Sequence, residues 1–547
     1  MAFGNLVFGL SFLILNAWGG DSTLPGPLAP PPNPSAGNAL ISPDGRLRWV
    51  EGDSFVTVAA DAERPERTVK LPPLASRTAK RRVLFAERSS RFCLLEEGDS
   101  ELGLHLGTRR GHEKAKALVV ASKLHLIDSN GRAYLDSMTQ ERMLQEVEVA
   151  HRMGIEVFVL DTGWYEKTGD WRVNRKRFPD GLMAVRDKLA RYDMKLGLWF
   201  SPTEAAVSSG ILNAHRDCLM SWKGQVSHPH GVWETEESQN MCLVSRYADA
   251  FADELVRLVK EVGVTYFKWD AIGQYGCDDP GHGHGTPAVP GEERADRYAF
   301  LQPGAMARIV DRVCAACPEA IVDFDVTEGG RCVGLSFLSA GKYFLNNNGP
   351  YFPNYDVPYD WRTASTWSNI FVNPGPARGW ICRTPLALDK WIPSVLFLTH
   401  YLPDDPADSQ VINIASLILG QNGIWGDLLK VSDEGVRRFG RLLTLYKHVR
   451  YDITDSSPIR TGAIGGSPEI HEKISDRAGR GAVVAFASAA GRYTYVTRRA
   501  VMRKCFSTEG VTVAYDSQGH AVIVLDFRQR GAKIVFFGTD GCERRPS

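Results

Sequence analysis

The chain has 547 residues, too many for one compact core, so its length predicts two or three domains. Hydrophobic residues make up 44% and charged residues 23%, an ordinary balance for a globular protein, and Lys plus Arg equals Asp plus Glu at 64 each. With no net charge there is no global field to draw in nucleic acid or an anionic membrane, which points to a neutral ligand.

The chain opens on an apolar run, Leu6 to Leu15, followed by a Pro-rich stretch from Pro25 to Pro34. The run suits the apolar centre of a signal peptide and is too short to span a bilayer. However, no Lys or Arg precedes it and no A-x-A site follows. A first β-strand is the equal alternative. Localisation follows the same fork, secreted or periplasmic with a cleaved leader and cytoplasmic without one. Residues 1–35 are thus read as a possible leader and linker. The ten Cys are scattered, so no disulfide framework is expected. The lone pair Cys314 and Cys317 lacks the second pair that a zinc or redox site would need.

Residues 36–112 read as a small β-rich domain, with short strands such as Leu47–Val50 and Phe55–Val58 separated by turns. Strands and helices then alternate. Lys116–Leu126 is strand-like, and Thr139–Gly154 carries Met143, Val147, Ala150 and Met153 at helical spacing, with Gly154 placed to end the helix. Strands are predicted at Ile155–Leu160, Lys195–Phe200, Thr265–Asp270, Ala320–Asp325, Lys342–Leu345, Ser394–Thr399 and Asn422–Gly426. Helices are predicted at Met183–Tyr192, Arg246–Val262 and Gly304–Ala316. This alternation predicts a parallel sheet with right-handed crossovers. Long loops after the strands, and no Gly-rich phosphate loop after the first, favour a (β/α)8 TIM barrel over residues 113–450. Residues 451–547 return to strands at roughly ten-residue intervals, as in an antiparallel β-sandwich. The fold class is therefore α/β, with a barrel between two β-rich segments.

Asp270 closes the run Thr265-Tyr266-Phe267-Lys268-Trp269-Asp270, at the strand end where a parallel barrel puts its chemistry. A lone strand-end Asp is otherwise a capping residue. Here Asp161, Trp164 and Trp199 occupy other strand ends. Lys268 shares a strand face with Asp270 and is expected to hold a nearby carboxylate as an anion. Paired carboxyl groups are the working parts of glycoside hydrolysis, and tryptophans offer platforms to sugar rings. Cys277-Asp278-Asp279-Pro280-Gly281-His282-Gly283-His284 has the ligand types of a metal site, but its Gly and Pro predict a flexible turn with a His reaching a sugar hydroxyl. No metal and no cofactor is expected.

The residues Phe158–Trp164, Gly169-Asp170-Trp171 with Asn174, Phe178-Pro179, Gly181-Leu182, Met194–Phe200, Lys268-Trp269-Asp270 and Gly329-Gly330-Arg331, in this order, resemble glycoside hydrolase family 36 and the α-galactosidase clan. The resemblance implies a retaining hydrolase of α-linked sugars in an oligosaccharide or polysaccharide, with Asp270 as nucleophile. Asp161 would bind sugar hydroxyls, Lys268 and Arg331 would orient the ring, and Trp164 and Trp199 would line the pocket. Two departures stand out. Thr162 replaces an Asp of the family pattern, which opens the sugar to question and leaves an α-N-acetylgalactosaminidase or other α-glycosidase as an alternative. Asn347 replaces the family's acid/base, and an amide cannot protonate a leaving oxygen. Asp356 and Glu328 are the candidate replacements, and a non-hydrolytic binder that keeps Asn347 among its sugar contacts is the other outcome. Oligomeric state is not predicted.

Overall fold

Antiparallel pairing gives way to parallel pairing along the chain, and the change marks where helices begin to link the strands. The computed structural model describes residues 138–231, 236–270, 277–325, 407–419, 428–456 and 458–540, and beyond these spans the strands given below and Arg383. The apolar run at Leu6–Leu15 lies outside the described residues. Strands β1 (Ala39–Ile41), β2 (Arg48–Glu51), β3 (Phe55–Val58) and β4 (Arg67–Lys70) form one meander. Strands β5 (Arg81–Phe85), β6 (Arg91–Glu97) and β7 (Leu102–Thr108) form another.

From β8 (Leu118–Ser122) onward each strand needs a crossover to reach its parallel neighbour. Helix α1 (Gln140–Arg152) supplies the first. The Thr139 hydroxyl caps it by accepting from the Arg142 amide, and Met143, Glu146, Val147 and Ala150 form its buried face. Gly154 follows at φ +77, a left-handed conformation that lets the chain turn sharply into the next strand. The succession continues with β9 (Val157–Leu160), α2 (Met183–Arg191) and β10 (Lys195–Phe200). An excursion then holds β11 (Glu204–Ala206), α3 (Gly210–Ala214), β12 (Ser221–Trp222), β13 (Gln225–Val226) and β14 (Ser238–Asn240). After it come α4 (Tyr247–Val262), β15 (Tyr266–Trp269), α5 (Gly291–Ala316), β16 (Ile321–Asp325), β17 (Tyr343–Asn346) and β18 (Val395–His400). Helix α6 (Ala407–Leu417), β19 (Gln421–Trp425) and α7 (Asp433–Asp455) complete the series.

Strands β8, β9, β10, β15, β16, β17, β18 and β19 pair in that order, all parallel, and β19 returns to β8 to close a barrel. Among the described residues, helices follow six of these eight strands, all but β16 and β17. Phe158, Leu160, Leu198, Phe200, Phe267 and Trp269 face outward into one core with the helices. Gly197 sits on the alternate face of β10, and a Cβ there would meet Val159 and Tyr266 side chains at 2.9 and 3.0 Å. That close approach is why β10 carries no side chain at this level.

One helix departs from expectation. The helix expected from Gly304 begins instead at Gly291 and runs unbroken past Pro303. A proline inside a helix removes one N–H and argues for a break. Here Ala295, Tyr298 and Gln302 before it, and Ala305, Met306 and Ile309 after it, are all buried, so packing of one continuous face carries the helix through.

The last strands are β20 (Ile459–Thr461), β21 (Glu469–Ile474), β22 (Gly481–Ala487), β23 (Gly491–Ala500), β24 (Cys505–Ser507), β25 (Val511–Tyr515), β26 (His520–Phe527) and β27 (Gly531–Phe537). They form two antiparallel sheets, β20-β21-β22-β27-β24 and β23-β26-β25. Ile470, Val483 and Val535 of the first sheet share a core with Tyr495, Ile523 and Leu525 of the second. The opposite face of the first sheet is also covered. Val484, Phe486 and Ile534 join the core that holds Phe439 and Leu443 of α7. On that face Glu469 takes a two-point bond from Arg383, at 2.6 and 3.0 Å, and lies 2.6 Å from His471 Nε2, all three buried.

Candidate functional site

The inner face of β15 alternates Tyr266, Lys268 and Asp270, while Phe267 and Trp269 point the other way. In register, Trp199 of β10 lies beside Lys268, and Phe200 beside Trp269. The Asp270 amide continues this ladder by donating to the Phe200 carbonyl at 2.8 Å, which holds the residue in strand geometry one step past the last pair.

Two buried hydrogen-bonded carboxylates result. The indole N–H of Trp199 donates to Asp270 Oδ2 at 2.8 Å. The ammonium of Lys268 donates to Asp161 Oδ2 at 2.9 Å, and the Thr162 amide donates to Asp161 Oδ1 at 2.8 Å. Asp161, Thr162, Lys268 and Asp270 are each at most 2% exposed. Lys268 thus forms an ion pair with Asp161 over the one intervening strand, β10. A strand face orders side chains along one strand but does not say which neighbouring strand end a long side chain reaches. The tryptophans carry a further structural duty. Trp164 donates its indole N–H to the Trp199 carbonyl at 2.9 Å and stacks on Trp171 with ring centroids 6.3 Å apart. Tyr165 stacks on Trp199 at 5.8 Å. The rings of Trp164, Tyr165, Trp171 and Trp199 form a buried aromatic block, and the Trp199 indole that reaches Asp270 is part of it. Such a block restricts rotamers and presents a fixed N–H to the carboxylate.

Glu328, Arg331, Asn347 and Asp356 lie outside the described residues. A carboxyl that the sequence reading passed over, Glu204, is found four residues beyond Phe200. Burial raises its pKa, and His230 Nε2 stands 3.2 Å away. A cavity of about 540 Å³ opens beside Asp217, Arg246, His282 and Arg308.

The loop after Asp270 also differs from expectation. His282 and His284 turn inward and are 7% and 1% exposed. From Asp278 to Gly283 the loop is tied down. Ser221 Oγ and the Gly224 amide donate to the Asp278 carboxylate at 2.6 and 3.0 Å, and the Gly281 amide donates to Asp279 at 2.7 Å. Gly283 donates to the Val244 carbonyl at 2.9 Å, and a Cβ at this glycine would meet that oxygen at 3.1 Å. The glycines that suggested flexibility instead permit close packing of backbone on backbone.

A family model described as Melibiase matches residues 101–334. The Alpha-galactosidase Mel36A of Lactobacillus acidophilus is 26% identical over 185 residues, which cover 31% of this chain and 24% of that protein. Alpha-galactosidase 1 of Pediococcus pentosaceus is 25% identical over 243 residues, 42% of this chain and 31% of its own length. In these matches the chain is similar to α-galactosidases of the Melibiase type. Its aligned segments span about a quarter to a third of these two relatives. The fold also matches that of the solved GH36 alpha-galactosidase AgaA of Geobacillus stearothermophilus, with a TM-score of 0.57 at 14% identity over 90% of this chain and 73% of that one. Among the described residues, no helix is long and apolar enough to cross a membrane.

Proposed function

We propose that the protein is a retaining glycoside hydrolase acting on α-linked sugars, with an α-galactoside of an oligosaccharide as the leading substrate. The observation that carries the reading is Asp270, a buried carboxylate just beyond a barrel strand, aligned by the Trp199 indole and flanked by the Asp161–Lys268 pair. A nucleophile needs a fixed, ionised oxygen, and a preorganised N–H favours the anion over the protonated form. Asp161 and Thr162 offer hydrogen-bonding groups to sugar hydroxyls. The names of the curated relatives and the 1-deoxygalactonojirimycin bound to the AgaA neighbour support a galactose-shaped ligand. The organisation proposed with this function is a leader and linker over residues 1–35, a β-rich domain over 36–112, a complete (β/α)8 barrel over 113–450 and a β-sandwich over 451–547.

In a retaining mechanism Asp270 attacks the anomeric carbon, the aglycone leaves as an acid donates a proton to its oxygen, and water then opens the glycosyl ester. The two carboxyl groups stand about 5 to 5.5 Å apart in such enzymes. Asp356 and Glu328 are the proposed acids, because Asn347 takes the family's position and cannot donate as an acid does. The same Asn347 favours a second reading, a sugar-binding relative without turnover.

Aryl α-galactosides with good leaving groups separate the two, since they need little acid assistance. Turnover of these substrates, abolished by Asp270→Ala, supports the hydrolase. Binding of the sugar without turnover supports the second reading and sinks the first.

A further inference from the structure

The loop that leaves β15 carries a cluster of side chains that the proposed hydrolysis does not use. Cys277, His282 and His284 come from this loop, and Cys242 comes from the segment after β14. One sulfur or ring nitrogen from each lies within 4.8 Å of the other three, and all four residues are buried. Zinc–sulfur bonds of about 2.3 Å and zinc–nitrogen bonds of about 2.0 to 2.1 Å would place tetrahedral ligand atoms roughly 3.3 to 3.8 Å apart, so only small movements would bring these four onto one ion.

Two details indicate a metal rather than plain packing. His282 Nε2 lies 2.7 Å from the Asp217 carbonyl oxygen, which can only accept, so the proton sits on Nε2. Nδ1 then presents its lone pair toward Cys277 Sγ, 3.1 Å away. An outer carbonyl fixing the far nitrogen of an imidazole is the usual support of a metal-bound histidine. His284 supplies the second detail. It is 1% exposed, and neither ring nitrogen makes a hydrogen bond. A buried imidazole with two idle nitrogens is costly unless something outside the protein's own donors and acceptors satisfies one of them. Met220, Val244 and Tyr298 enclose the cysteines in an apolar shell that limits access of water.

We propose that Cys242, Cys277, His282 and His284 form a structural zinc site. Two thiolates and two imidazoles are the donors of closed, four-coordinate zinc centres, whereas calcium and magnesium select oxygen. On binding, the two thiols lose their protons to solvent, and the two thiolate charges cancel the charge of the ion, so a neutral complex is buried. All four coordination positions are filled by protein, which leaves none for substrate. The role is mechanical. The ion would staple the segment Cys277–His284 to the segment leaving β14.

The test is elemental analysis of the full-length chain, purified without chelators from zinc-supplemented cells. The expected result is close to one zinc per chain, retained through desalting, with Cys317→Ser matching the wild type and Cys277→Ser and His284→Ala losing most of the metal. Should either variant fail to fold, the wild type still decides. Removal of zinc and loading with cobalt should give the intense visible bands of a tetrahedral thiolate site, and a mercurial that consumes the two thiols should release the ion in step. A wild-type chain that holds no zinc after reconstitution overturns the proposal. So does a Cys242–Cys277 disulfide in the peptide map, or zinc retained by both cluster variants.

Discussion

Glu469→Gln removes one negative charge from the interface between the C-terminal sheet and the barrel and leaves the Arg383 guanidinium buried beside an amide. Burial alone would raise the pKa of Glu469, but the charge of Arg383 and the bonds from His471 and Arg383 prevail and pull it down to about 2 from the ordinary 4.5. At roughly 1.4 kcal/mol per pH unit, that gap corresponds to about 3 kcal/mol favouring the ionised, folded form. Breaking a buried pair by removing one partner typically costs about 3 to 5 kcal/mol, so the two estimates agree. A folded-state pKa below the unfolded one contributes stability that is complete above pH 4.5 and lost as pH falls toward 2. Denaturant unfolding at neutral pH, with hydrogen exchange in β21 and β22 as the local readout, should show Glu469→Gln weaker by about 3 kcal/mol. The gap between variant and wild type should close as the buffer is taken from pH 5 toward pH 2. Glu509→Gln, at an exposed position, is the control. A loss below about 1 kcal/mol would mean that the Arg383 pair contributes no more than a surface ion pair, and would refute the reasoning.

Trp199→Phe keeps the aromatic block but deletes the N–H that reaches Asp270. It should lower kcat on aryl α-galactosides by roughly ten- to a hundredfold, in line with loss of one charge-assisted hydrogen bond, while circular dichroism stays native. An unchanged kcat would remove Trp199 from the positioning of Asp270. Trp164→Ala empties the centre of that block and should destabilise the fold by about 3 to 5 kcal/mol in chemical denaturation, and a loss under 1 kcal/mol would contradict the burial described. Gly197→Ala drives a methyl against Val159 and Tyr266 and should cost about 1 to 3 kcal/mol by the same measurement, with no cost showing that the barrel wall yields freely. The Glu204–His230 pair has both folded pKa values raised, Glu204 chiefly by burial and His230 chiefly by its bond to Glu204. A raised folded value gives stability that is complete at low pH and fades as pH rises through it. Proteolysis around the β11–β14 strand pair should therefore quicken from acid to alkaline buffer, and a profile flat with pH in the wild type would rule out this linkage.

Much of the architecture was legible because each element announces itself locally. Lys195–Phe200 is an apolar strand by composition, and Met143, Val147 and Ala150 mark a helix by spacing alone. Asp270 and Asp161 stood out because a polar residue interrupting an apolar strand has few reasons to be there. Three features were not legible, each because it depends on contacts remote in sequence. Lys268 reaches Asp161 across 107 positions, and Trp199 reaches Asp270 across 71. The metal-type cluster needed Cys242, which no motif links to Cys277, and the glycines of the Cys277–His284 run argue locally for looseness, whereas the backbone of Val244 packs against Gly283.

Strand β21, Glu469-Ile470-His471-Glu472-Lys473-Ile474, shows where the division falls. Its alternation puts Ile470 and Ile474 on one face, and both lie in the core between the two sheets. Read locally, Glu469, His471 and Lys473 belong to a solvated face, since charges are seldom buried without partners. Only the tertiary structure supplied those partners, Arg383 for Glu469 and the Leu419 carbonyl for Lys473 at 2.7 Å, and so buried both faces. The period of a sequence states which side chains share a face, because that follows from backbone geometry within a few residues. What the face meets is decided by how distant elements pack, and the chemistry proposed for Asp270 and for the cysteine–histidine cluster depends on that second decision.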